Sequence, residues 1–189
     1  RVTAAHEFFH ALQFSYYQGN DGRWWQEASA TWMEEVAFPE ADDYLQYLCA
    51  FILSPSRSLN SGSALGSDNH VYGATVFAHF LDQRYHRDLV RRVWEELGRR
   101  RNGAMEHFNR AISDFTDGES NLVDAISDFT VWNYFTGSRH VEGMFYEEGA
   151  KWPAFELVSV DPVLQVPPQT TGFVDHLASA YVRLEPQLR

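Results

Sequence analysis

Cysteine, lysine and long apolar runs are what this chain has least of. Its 189 residues contain one cysteine, Cys49, and one lysine, Lys151. A lone cysteine excludes an intrachain disulfide framework. Cys49 falls in the apolar run Tyr47-Leu48-Cys49-Ala50-Phe51-Ile52-Leu53, which predicts a small buried hydrophobe rather than a nucleophile. No run approaches the roughly 18 apolar residues of a membrane helix, and no signal-peptide pattern is visible. Positive charge is scarce as well. Fifteen basic against 26 acidic residues leave a formal charge of −11, which argues against a nucleic-acid-binding surface. The basic residues cluster between Arg84 and Arg110, including Arg91-Arg92 and Arg99-Arg100-Arg101. Glu95, Glu96 and Glu106 interleave with them, so a solvated helical face is expected there.

What is present is aromatic and histidine-rich. Fourteen Phe, nine Tyr and six Trp, in a chain that is 44% hydrophobic, exclude a disordered segment and predict aromatic packing in the core. Near the start stands His6-Glu7-Phe8-Phe9-His10, the pattern H-E-x-x-H. Histidines four apart lie on one face of a helix, one turn above the other, so their imidazoles can converge on one metal ion. Glu7 projects about 100° round the same helix. It can serve as general base toward a metal-activated water without itself being a ligand. A carboxylate from a second helix would complete three protein ligands and leave a fourth position open. Val2, Ala4, Ala5, Phe8, Phe9, Ala11 and Leu12 make the segment apolar nearly all round, as in a buried helix. The bland alternative is a core helix carrying two hydrogen-bonded histidines. Buried histidines need partners in either case.

Seventeen residues after His10 comes Glu27, in Gln26-Glu27-Ala28-Ser29-Ala30-Thr31-Trp32-Met33-Glu34. Together with H-E-x-x-H, this segment resembles the second motif of gluzincin zinc metallopeptidases, often N-E-G-x-A-x-Y-x-E. The resemblance places Glu27 at the third-ligand position, Ala30 at the small residue, Trp32 at the aromatic and Glu34 at the trailing acid. Gln26 and Ala28 depart from Asn and Gly. The acid that thermolysin-like enzymes carry four residues after the ligand is Thr31 here. Glu34, two turns along from Glu27, is therefore the candidate to orient a ligand histidine; its alternative is a solvated helix carboxylate. The wording of both motifs is similar to that of bacterial secreted metallopeptidases, which implies a secreted or extracytoplasmic setting.

The family also implies a second donor for the oxyanion, a Tyr or His downstream of the third ligand. The segment His70-Val71-Tyr72-Gly73-Ala74 is similar to the aminopeptidase pattern Y-x-K-G. Aligning the glycines puts His70 on the Tyr position and Tyr72 on the Lys, so both are candidates. The alternative is that Tyr72 packs beneath its helix while His70 caps it. His79, His86, His107, His140 and His176 have no motif context.

The expected architecture is mainly α, with short β segments near the C-terminus. Helices are predicted at 2–17, 23–37, from Pro39 to Leu53, and at 71–86, 88–100, 104–115 and 120–136. A Gly/Ser-rich loop is predicted over 54–69. The hexapeptide Ala-Ile-Ser-Asp-Phe-Thr recurs at 111–116 and 125–130, as two similar helix segments. Residues 155–160 and 180–184 alternate like strands, with Pro162, Pro167 and Pro168 between them. Residues 1–153 then form a helical catalytic domain, the lower half of a zincin-like unit. Residues 154–189 form a β-rich segment that could begin a further module. The resemblance implies a sheet before the H-E-x-x-H helix, for which there is no room ahead of His6; the chain is read as a piece of a longer precursor. The expected function is hydrolysis of peptide bonds in a peptide or protein substrate. Zn²⁺ would be held by His6, His10 and Glu27, with Glu7 as base and Tyr72 or His70 at the oxyanion. The alternatives are a degenerate relative that binds zinc or a partner without cutting, and a metal-free helical interaction domain.

Overall fold

Fifteen residues from Arg23 to Ala37 set the arrangement of the rest. This segment is helical and carries Trp24, Trp25, Ala28, Ala30 and Trp32 into the core, with Ser29 and Thr31 buried beside them. The small residues Ala28, Ser29 and Ala30 let neighbouring helices approach closely. The tryptophans fill the space at either end. The computed structural model describes residues 1–19, 22–62, 68–99, 104–160 and 174–184. In chain order the helices are α1 (Val2–Tyr16), α2 (Arg23–Ala37), α3 (Leu45–Ile52), α4 (His70–Gly73), α5 (Thr75–Arg84), α6 (Asp88–Arg99), α7 (Ala104–Phe115) and α8 (Leu122–Tyr134). Two short strands follow, β1 (Leu157–Val160) and β2 (Tyr181–Leu184), paired parallel with Leu157 opposite Tyr181. The protein is mainly α. Among the described residues no helix is long and apolar enough to cross a membrane.

α5 is the second inner element, buried without interruption from Thr75 to Leu81. Phe77 joins the layers. Its ring centre lies 5.1 Å from Phe129 of α8, 5.8 Å from Phe108 of α7 and 6.4 Å from Trp24 of α2. The repeated hexapeptide falls on α7 and α8, where Ala111, Ile112, Ala125 and Phe129 all face this core. Helix α8 starts where its sequence directs. The Asn121 side chain accepts hydrogen bonds from the Val123 and Asp124 backbone N–H groups at 2.8 and 3.2 Å. The arginine-rich stretch is a solvated face in its described part. Arg91 pairs with Glu95, Arg99 with Glu96 and Arg110 with Glu106, each along its own helix.

Several expectations change. Pro39 does not open a helix: α3 begins at Leu45, after turns in which Asp42 takes a left-handed φ of 52°. The helix predicted over 71–86 is two helices that meet at Ala74. There the Phe77 N–H bonds the Ala74 carbonyl three residues back at 3.0 Å. A Cβ on Gly73 would stand 2.7 Å from the Tyr47 carbonyl oxygen, so only glycine lets α4 lie this close to α3. Cys49 is exposed, because α3 turns Leu48, Phe51 and Ile52 inward and leaves position 49 off that face. Nor is α1 buried all round. Its two buried residues are polar, His6 and Gln13, while Phe8 is 67% exposed and Leu12, Phe14 and Tyr16 are exposed too. The helix lies along the surface and turns His6 and Gln13 toward α2, with Phe9 against Trp32, while its other large apolar side chains face outward.

The described part of 154–189 packs onto the helices. The Tyr181 hydroxyl donates to the Thr130 carbonyl at 2.9 Å, and its ring centre lies 5.3 Å from that of Phe155. Backbone N–H groups of Asp175 and Ser179 bond the carbonyls of Ser56 and Pro55, both at 2.9 Å. Residues 63–67 of the Gly/Ser-rich loop, Arg100, Arg101, Pro162, Pro167 and Pro168 lie outside the described residues.

Candidate metal centre

One turn of α1 separates His6 from His10, and both rings face the first turns of α2. The ring centres are 4.7 Å apart and nearly perpendicular, at 87°. Glu27, one turn into α2, presents Oε2 to both of them. It stands 3.3 Å from His6 Nε2 and 3.5 Å from His10 Nε2. The ligating atoms of His6, His10 and Glu27 all lie within 4.8 Å of one another. These two separations are long for charge-assisted hydrogen bonds, which close to about 2.7–2.9 Å. They match the edge of a tetrahedron. Bonds of about 2.0–2.2 Å to a zinc-sized ion put neighbouring ligand atoms about 3.3–3.5 Å apart. The donor set, two imidazoles and a carboxylate, is of the kind that leaves one position free.

The far nitrogens of both rings are engaged. His6 Nδ1 meets Glu34 Oε1 at 2.7 Å, and His10 Nδ1 meets Gln13 Oε1 at 2.7 Å. Hydrogen bonds at Nδ1 hold each ring so that Nε2 points inward. Glu34 is buried, so its carboxylate is part of the centre rather than a solvated surface charge. Thr31 is buried on the same helix and carries no charge. Gln13 was not legible as a functional residue. Its only signal was a polar residue three after His10 in an otherwise apolar run.

Within this cluster the histidines and carboxylates stabilise one another's charged forms. Burial alone would lower the pKa of His6. Its hydrogen bonds to Glu27 and Glu34, and the charges of those carboxylates, outweigh burial and raise it to about 9. Burial alone would raise Glu27. His10 and His6 outweigh it and lower the carboxyl to about 2. His10 is raised as well, chiefly by Glu27. The sign for stability follows from which state holds the proton. Folded His6 keeps a proton between its ordinary value of 6.5 and about 9, where the unfolded chain has lost it. That stabilisation is complete below about 6.5 and disappears as pH rises through 9. The Glu27 contribution runs the other way, complete above 4.5 and lost as pH falls toward 2. Calorimetry on metal-free protein is expected to show Tm falling between pH 6.5 and 9, with a shallower fall in His6→Gln. Parallel profiles for the two proteins would contradict this electrostatic picture.

Tyr72 reaches the edge of the cluster. Its ring centre is 6.2 Å from that of His6 and 5.2 Å from that of Tyr47. Burial and then the charges of Glu27, Glu7 and Glu34, with Tyr47, push its pKa up, so the phenol keeps its proton. Tyr47 is raised too, by burial and then by the Glu34 and Asp43 carboxylates. It is a second phenol beside the centre that no motif marked. Glu7 is exposed on α1, and its charge is felt at Tyr72. His70 does not share this position. It is buried, with Nε2 2.9 Å from the Ser58 carbonyl and Nδ1 3.2 Å from the Ala50 carbonyl. Burial lowers its pKa, and both ring nitrogens face backbone carbonyls, so the ring is not placed to donate to an oxyanion. Of the two downstream candidates, Tyr72 alone faces the centre.

A second carboxylate cluster, Glu35, Asp42 and Glu148, lies elsewhere on the molecule. The ammonium of Lys151 already sits in it, 2.9 Å from both Asp42 oxygens and 2.6 Å from Glu148, and the Tyr44 hydroxyl donates to Glu148 at 2.6 Å. Burial, then the Glu148 and Asp42 charges, push Glu35 up to about 7. That cluster is a partly exposed ion-pair network with its own cation. No protein-family profile, curated protein or solved structure matches the chain.

Proposed function

We propose that this chain is the helical, metal-bearing part of a zinc-dependent metallopeptidase of the gluzincin type. The observation that carries the reading is the convergence of His6 Nε2 and His10 Nε2 on one oxygen of Glu27, at 3.3 and 3.5 Å, with both Nδ1 atoms engaged behind them. A structural metal site would have no use for a free carboxylate at position 7. A hydrolytic one does.

Zinc, when bound, acidifies water and polarises a carbonyl. The chain's own residues supply the rest. His6, His10 and Glu27 hold the ion and leave one side open. Glu7, next to His6 on α1, takes the proton from the attacking water and passes it to the leaving amine. Tyr72 keeps its phenolic proton and donates a hydrogen bond to the oxygen on which negative charge builds. Glu34 and Gln13 keep the two rings from turning.

The test is zinc content measured beside proteolysis of a mixed peptide library. Stoichiometric zinc with cleavage that a chelator abolishes supports the reading, and a chain that takes up no zinc refutes it. A second reading, a zinc-binding or protein-interaction domain that does not cut, is favoured by one observation. Phe8, Leu12 and Phe14 are exposed on the same helix as the histidines, where a partner could cover them. Stoichiometric zinc with no cleavage of any library member would select it. Within the enzyme reading, Tyr72→Phe is expected to lower kcat by about 10²–10³-fold, the usual cost of one oxyanion donor, with zinc affinity almost unchanged. Wild-type kcat in that variant would remove Tyr72 from the mechanism.

A further inference from the structure

Gln13 lies one turn after His10 and is buried, with its carboxamide between α1 and α2. Its Oε1 is 2.7 Å from His10 Nδ1. Its Nε2 is 2.9 Å from the Gln26 carbonyl and 3.1 Å from Ser29 Oγ. A carboxamide can be turned end for end only if its neighbours accept either group. These neighbours do not. The Gln26 carbonyl can only accept, so it requires the NH₂ end. Ser29 Oγ donates its single proton to the Trp25 carbonyl at 2.6 Å, and the Trp94 indole N–H, a donor only, occupies one of its lone pairs at 3.2 Å. What Ser29 offers Gln13 is the other lone pair, which again requires the NH₂ end. The carbonyl end must then face His10. An oxygen there can only accept, so His10 carries its proton on Nδ1 and turns the Nε2 lone pair toward Glu27.

We infer that Gln13 is a positioning residue that selects the metal-binding tautomer of His10, its own orientation set by the Gln26 carbonyl and by Ser29 and Trp94. The inference rests on the reading that His6, His10 and Glu27 hold a metal. It also explains why a carboxamide serves here, where His6 has a carboxylate. Position 13 needs an acceptor at one end and a donor at the other, and an ionised Glu has no donor to give Gln26. Without Gln13, Glu27 Oε2, 3.5 Å from Nε2, is an acceptor left facing a neutral His10. The proton then moves to Nε2 and blocks the atom that a metal needs.

The experiment is ¹⁵N NMR of the histidine rings in metal-free protein, at a pH above the titration of both rings, beside zinc affinity by competition with a chelator. Wild type is expected to show His10 with its proton on Nδ1. Gln13→Met, similar in length but unable to accept this bond, is expected to shift the proton to Nε2 and weaken zinc binding about 10–100-fold, as loss of a ligand's outer partner does. Gln13→Glu keeps an acceptor at Nδ1 and is expected to keep the wild-type tautomer, a rescue that mere space-filling would not predict. A proton on Nε2 in wild type, or one tautomer shared by wild type and Gln13→Met, overturns the inference; the wild-type spectrum decides the first point even if Gln13→Met fails to fold. The tautomer is read without metal. Failure to bind zinc therefore refutes the peptidase reading alone, and an intact zinc site with an unmoved tautomer refutes the role of Gln13 alone.

Discussion

Peptide turnover by Glu7→Gln is expected to fall by about 10²–10⁴-fold, the worth of a general base, while metal content and melting temperature stay near those of wild type. The reasons are positional. Glu7 lies outside the cluster of His6, His10 and Glu27, and its side chain is exposed. Glutamine keeps the shape and the polarity and removes the ability to take a proton. Assay of metal-loaded wild type and variant on the same peptide checks this. Equal kcat would refute the base assignment, and loss of metal from the variant would mean that Glu7 is a ligand.

Glu27→Ala removes the carboxylate toward which both histidines turn. Metal affinity is expected to fall by more than the roughly 10–100-fold that loss of an outer-sphere partner costs, and proteolysis should fall with it. A second readout needs no metal. Glu27 is the first cause of the upward shift at His10 and the leading upward influence at His6. In metal-free Glu27→Ala, NMR titration should find His10 nearer its ordinary 6.5. His6 should also drop from about 9, though less completely, because Glu34 still faces its Nδ1 at 2.7 Å. Retained stoichiometric zinc would show that Glu27 is not a ligand, and an unmoved His10 titration would show that it is not the partner of that ring.

Local pattern was enough for what is local. The spacing of four in His6-Glu7-Phe8-Phe9-His10 puts both rings on one helical face, because 3.6 residues make a turn. The extents of α1, α2 and α6 to α8 follow from apolar periodicity and turn residues, to within a residue or two. Turn geometry was less legible. Pro39 can begin a helix, but the chain makes turns through Asp42 first. The helix over 71–86 breaks at Ala74, where Gly73 is pressed against the Tyr47 carbonyl of α3. A contact between segments more than twenty residues apart leaves no mark in a local window.

The sequence by itself determined the mainly helical class, the pair of histidines, and the carboxylates that could join them. Tertiary structure decided which of the candidates meet. Packing α1 along α2 put Glu27 between the two Nε2 atoms and Glu34 behind His6, and it brought Gln13 against Gln26 and Ser29. Packing α4 on α3 and α2 turned His70 onto the carbonyls of Ala50 and Ser58 and left Tyr72, two residues on, facing the centre. The seat of α1 on α2 left Phe8 in solvent, although its apolar segment reads as a buried helix. The reason is common to all of these. Periodicity states which residues share a face of one helix, but the partner of that face is set by the long-range fit of side chains such as Trp24, Trp25, Phe77 and Phe108.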